Sequence, residues 1–149
     1  MSKEPPILIA IDPDDYHATY VGRTADGSQF FLTTPFVPAT GDSVGCEFVA
    51  LYLFDAQGGL REVRINNLGA RTEMQDERPE SVLKQRLAEL GPLNYCRIMV
   101  QPFQLEQFGV IFGLVPCAPE NEDGYWSVEA QPGNYMAFYE PWDSGEYDT

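Results

Sequence analysis

The sequence predicts an α+β domain: a mostly antiparallel β-sheet of about seven to eight strands with one main amphipathic helix at 79–90. Three observations carry this. Short apolar runs recur along the chain, separated by Gly, Pro, Asn and Asp turn signals. One stretch alone has convincing helical spacing. The 149 residues are 44% hydrophobic and 13% aromatic, which is globular composition at single-domain length, so residues 1–149 are assigned to one domain. A chain this long buries about 68–70% of its unfolded surface and needs neither metal nor disulfide to fold.

The first element is the β-branched run ILIAI, residues 7–11, a short buried strand broken by Asp12, Pro13, Asp14 and Asp15. Residues 17–24 (HATYVGRT) and 29–37 (QFFLTTPFV) are two strands around Ala25, Asp26, Gly27 and Ser28. The Asp-Gly pair predicts a hairpin turn with φ positive at both central positions. Pro35 and Pro38 indicate that the second strand ends at a sheet edge or leaves the sheet, and residues 40–43 form a loop. In residues 46–54 (CEFVALYLF), Phe48, Ala50, Tyr52 and Phe54 share one side, and Val49, Leu51 and Leu53 share the other. Both sides are apolar, so this strand is central and covered on both faces. In residues 60–66 (LREVRIN), Val63 and Ile65 point in while Glu62 and Arg64 point to water.

Pro79 suits the first helical position, and Glu80 in the first turn suits the helix dipole. Val82, Leu83, Leu87 and Leu90 form the apolar stripe, and Gly91-Pro92 stops the helix. Four more strands follow at 95–101, 110–115, 125–130 and 135–140, with 102–109 ambiguous and 116–124 (PCAPENEDG) an acidic loop. Pro132-Gly133 between the last two strands predicts a type II turn.

Charge bounds the partners. There are 23 Asp and Glu against 9 Lys and Arg, a formal net charge of −14. Such a surface repels phosphate backbones and anionic lipid, so neither nucleic acid nor membrane is expected as a partner. A basic protein partner is favoured and would be drawn in from a distance. The charge is uneven: residues 61–97 hold 7 bases and 6 acids, whereas residues 98–149 hold 9 acids and no base. The apolar run at 7–11 is too short for a secretory core of about 7–15 residues or a membrane span of about 20. Cys46, Cys96 and Cys117 form no C-x-x-C pair, which fits a reducing, cytoplasmic setting; Cys46 and Cys96 read as small core residues.

Catalytic chemistry has little to build on. His17 is the single histidine and reads as an exposed residue at a strand start. A His/Cys metal centre would need more ligands, and a nucleophilic triad would have to use His17 without a G-x-S-x-G elbow. Neither a P-loop nor a G-x-G-x-x-G is present. The acidic stretches Asp12, Asp14, Asp15 and Glu120, Glu122, Asp123 do not match the EF-hand spacing. Among 23 acids, a carboxylate pair at glycosidase spacing would arise by chance. No catalytic residue, metal ligand or cofactor is therefore assigned, and the chain leans away from enzymes.

Acids interleaved with aromatics remain. Tyr125, Trp126, Tyr135, Tyr139, Trp142 and Tyr147 lie among Glu120, Glu122, Asp123, Glu129, Glu140, Asp143, Glu146 and Asp148. Tyr and Trp offer large, stiff contact area, and carboxylates accept arginine in bidentate fashion. Partner binding is assigned to Glu120, Glu122, Asp123, Trp142, Asp143, Glu146, Tyr147 and Asp148. The competing reading makes these aromatics core and cross-strand pairs of the terminal hairpin.

In size, charge and lack of catalytic motifs, the chain resembles small acidic bacterial immunity proteins that block basic toxins. The resemblance covers the whole chain, rests on no motif and implies no residue roles. It implies a non-catalytic acidic binding protein that engages a basic protein partner as inhibitor or adaptor. Two other readings stand beside it: a small-molecule or enzymatic pocket at the sheet near Tyr52, Arg64 or Arg97, and a structural subunit of a homo-oligomer joined through strand edges.

Overall fold

A computed structural model describes residues 4–41, 44–70 and 78–149. The elements run β1 (Ile9–Ile11), β2 (Tyr20–Thr24), β3 (Gln29–Thr33), β4 (Phe36–Val37), β5 (Cys46–Phe54), β6 (Leu60–Gly69), α1 (Arg78–Leu90), β7 (Leu93–Tyr95), β8 (Ile98–Val100), β9 (Phe103–Gln107), β10 (Val110–Cys117), β11 (Ser127–Gln131) and β12 (Ala137–Phe138). The result is a small α+β domain with antiparallel ladders and, among the described residues, one helix.

The expected single sheet of seven to eight strands is corrected: among the described residues, twelve strands form three sheets of six, four and two strands. The reason is a change of partner inside one apolar run. Residues 95–101 read as a single strand, yet the chain leaves the large sheet at Cys96 and Arg97. Tyr95 pairs with Gly22 of β2, whereas Ile98 pairs with Ile11 of β1. A second break falls at Pro35, which has no N–H to give; its carbonyl still accepts the Phe48 N–H at 3.0 Å. The ambiguous stretch after residue 101 supplies β9.

Strand β5 is central, as its two apolar faces require. It lies between β6 and the broken line of β3 and β4. On one face Phe30, Leu32, Val49, Leu51 and Leu68 meet the α1 stripe Val82, Leu83, Leu87 and Leu90. On the other face Phe31, Ala50, Tyr52 and Phe54 meet side chains of the two smaller sheets, among them Ile9, Ile98, Leu114, Val128 and Phe138. Each large apolar side chain buried this way stabilises the fold by about 1.5–3 kcal/mol. The polar side of β6 meets the end of α1 rather than open water, with Arg64 3.3 Å from Glu89.

The turn predicted between β2 and β3 is corrected. In the β2–β3 hairpin only Gly27 has positive φ (88°), because Thr24 accepts the Gly27 N–H at 3.1 Å and donates to Ser28 at 2.9 Å. That is a three-residue loop ending in a left-handed glycine, not a two-residue primed turn. After β11, Gly133 takes the positive φ (93°) expected of the glycine in the Pro132-Gly133 turn, and Asn134 follows in the left-handed region at φ 47°. Cys46 and Cys96 are half-buried rather than core, and the Cys46 thiol donates to Asn67 at 3.2 Å. Part of the loop predicted at 40–43 lies outside the described residues. No helix among the described residues is long and apolar enough to cross a membrane.

Candidate functional site

Residues 141–149 are built into the fold. The Ala10 N–H donates to Trp142 O at 2.8 Å, and the Asp12 N–H donates to Gly145 O at 3.1 Å. Ala137 and Asp148 exchange two backbone bonds of 2.8 Å each. The segment therefore ties the edge of β1 to the edge of β12. Arg97 fastens it. Its guanidinium grips the Asp12 carboxylate at 2.6 and 3.0 Å and donates to the carbonyls of Asp143 (2.9 Å) and Ser144 (3.2 Å). The hydrogen bond from Arg97 holds the Asp12 carboxyl below its ordinary range. Gly145 sits at φ 81°, and a Cβ there would lie 2.2 Å from Asp12 Oδ2, so only glycine fits.

Tyr147 packs inward. Its hydroxyl donates to Asp14 Oδ2 at 2.6 Å and accepts the His17 N–H at 3.0 Å, and its ring lies 5.8 Å from Phe138. Burial, then the Asp14 carboxylate, push the Tyr147 phenol up to about 12. Burial works to raise Asp14 as well, but hydrogen bonds from Tyr147, Tyr16 and Ala18 outweigh it and hold Asp14 low. His17 is not the exposed residue expected. It is half-buried, with its ring 3.8 Å from Tyr16 and 5.1 Å from Tyr135, and burial lowers its pKa against the pull of Asp14. Trp142 is half-buried against the same core.

The outward face of the β9–β12 sheet carries the exposed aromatics. Leu114, Val128 and Phe138 point into the core, so alternation turns Glu129 and Ala137 outward, opposite one another in the register. Tyr139 continues that outward row, and Tyr125 stands beside it at the end of the acidic loop. A cleft of about 370 Å³ is lined by Tyr125, Trp126, Tyr139 and Glu140. A second hollow shares Tyr125 and Tyr139 and adds Glu120 and Glu129. A third runs along the C-terminal segment past Tyr139, Glu140, Glu146, Tyr147 and Asp148. No Lys or Arg lines any of the three. Cys117 borders the second hollow; its thiol donates to Glu129 Oε2 at 2.7 Å and is pushed up to about 11 by burial and then by that carboxylate.

Of the residues assigned from sequence, Glu120, Glu146, Tyr147 and Asp148 come to this line of hollows. Glu122 and Asp123 are exposed on the loop beyond it, and Asp143 is exposed beside Arg97. Sequence reasoning left Tyr125, Trp126, Glu129, Tyr139 and Glu140 off the assigned set. The signal for Tyr139 was the alternation itself: with Phe138 inward, Tyr139 must face out.

The residues of the alternative pocket do not converge. Tyr52 is buried between the sheets, and among the described residues its hydroxyl has no hydrogen-bond partner. Arg64 pairs in register with Leu51 on the helix side and is held by Glu62 and Glu89. Arg97 is engaged with Asp12 and the C-terminal segment. A cleft of about 350 Å³ near Asp26, Arg61, Glu62 and Glu89 mixes both charge signs. Among the described residues no group of three or more His, Cys, Asp or Glu is placed to hold a metal ion. Comparison of the chain with protein families, with curated proteins and with solved structures gave no match.

Proposed function

We propose that this chain is a non-catalytic binding protein that engages a basic protein partner through the outward face of the β9–β12 sheet, acting as an inhibitor or adaptor. One observation carries the reading. Three adjoining hollows share Tyr139, bring together the carboxylates of Glu120, Glu129, Glu140, Glu146 and Asp148, and include no basic side chain. Rigid aromatics set among acids suit the buried centre and the polar rim of a protein interface. A one-signed field speeds the approach of an oppositely charged partner and repels a second copy of the same face.

The test uses the intact protein as bait in extracts of its source organism, with an E120Q/E146Q/D148N variant in parallel. The captured protein should be basic. Its association rate constant should fall about tenfold or more between about 50 mM and about 500 mM salt. The variant should bind more slowly, with a flatter salt dependence. Capture and rates indifferent to both salt and charge removal would overturn the proposal.

A further inference from the structure

We infer that the cleft of Tyr125, Trp126, Tyr139 and Glu140 is a receptor for a single arginine side chain of the partner. The inference rests on the proposed binding face but makes a claim that can fail independently. Tyr125 is 64% exposed and Tyr139 43% exposed, and they flank the half-buried Trp126. Tyr16 (65%) and Tyr95 (49%) are as open elsewhere on the surface, but here two such rings adjoin a third aromatic in one cleft.

The lining selects the occupant. Three aromatic side chains line the cleft, and an aromatic ring attracts a cation, Trp most strongly. Glu140 adds one carboxylate to the wall, and Glu120 and Glu129 stand in the hollow that shares both tyrosines. A neutral apolar group would meet the rings but gain nothing from the acidic surround, in which no Lys or Arg stands. Between the two cations, the planar guanidinium is the better match. It stacks on flat rings, loses its hydration more readily than an ammonium and can bond a carboxylate with two N–H groups. The cleft of about 370 Å³ has room for a guanidinium with the end of its stem.

The test needs no partner. Nitrogen-15-labelled protein is titrated at constant ionic strength with N-acetyl-arginine amide, N-acetyl-lysine amide and the neutral isostere N-acetyl-citrulline amide. The arginine probe should shift the Trp126 indole resonance saturably, with half-saturation on the order of millimolar. Trp142 should not respond. Tyr125→Ala and Tyr139→Ala, both at exposed positions, should weaken the response at least tenfold while the rest of the spectrum stays folded. A response equal with lysine overturns the assignment to a guanidinium. A response equal with citrulline, or centred on Trp142, overturns the cleft altogether. Salt-dependent capture of a basic protein without any arginine response would defeat this inference and leave the proposed function standing. An arginine response without such capture would do the reverse.

Discussion

Cys117 shows how one side chain records its surroundings. A free thiol titrates near 9.0, but burial and the Glu129 carboxylate push this one up to about 11. The thiolate is the reactive form, so at pH 8 roughly one Cys117 in a thousand should be ionised. Alkylation of Cys117, followed by peptide mass spectrometry, should run on the order of a hundredfold slower than for an unhindered thiol of ordinary pKa. Glu129→Gln should speed it only in part, since burial is the larger cause. Labelling as fast as that of free cysteine would contradict the contact. Neither the thiol's carboxylate partner nor the inward turn of Tyr147 was legible in the sequence. Cys117 and Glu129 are 12 residues apart, and Tyr147 and Asp14 are 133 apart. No local pattern encodes contacts of that kind.

At the scale of elements, local periodicity served well where it was strong. The two apolar faces of β5, the stripe of α1 and the inward Val63 and Ile65 of β6 point where the residues said they would. It failed where backbone groups change partner within a continuous apolar run, as between β7 and β8. It also failed where residues 141–149, with no apolar alternation, dock by backbone bonds and by Arg97. That docking is testable. Gly145→Ala places a Cβ against Asp12 Oδ2 at a φ that side chains rarely adopt. The C-terminal segment should come away as a unit. Hydrogen exchange at the amides of Ala10, Asp12, Ala137 and Asp148 should accelerate, while the amides of Val49 and Leu51 in β5 keep their protection. Uniform acceleration, or none, would show that the segment is not a separable element.

For the whole molecule, the pKa shifts fix how stability should follow pH. Tyr147 is raised to about 12 and Cys117 to about 11, and burial raises Tyr135 and Tyr52 further. The unfolded chain gives up these protons first, at about 9 for the thiol and about 10 for the phenols, so the native state binds more protons in that range. Stability should therefore be level near pH 8 and fall as pH rises from about 9 through 12. On the acid side Asp12, Asp14 and Asp26 are held low, Asp26 at about 2 by the Thr24 hydroxyl and then by Ser28. Their contribution is present above the ordinary carboxylate range and is lost as pH falls through the folded values. Thermal melts across both limbs test this, and Tyr147→Phe should shallow the alkaline limb. A melting temperature that climbs above pH 10 would refute the assignment. The fold class was legible at this scale from composition and run lengths, but the division into three sheets was not, because it depends on which strand edge each run finds.

The fastening of residues 142–148 onto β1 also bears on how the chain is made. Ribosomes add about 5–20 residues per second, and domains tend to fold as they emerge. Asp14 is synthesised 133 residues before the Tyr147 hydroxyl that bonds it. Ala10 and Asp12 likewise wait for Trp142 and Gly145. For on the order of ten seconds, then, β1 waits without this edge partner. The half of the core that it shares with β8, β11 and β12 closes only after residues 142–147 have been added.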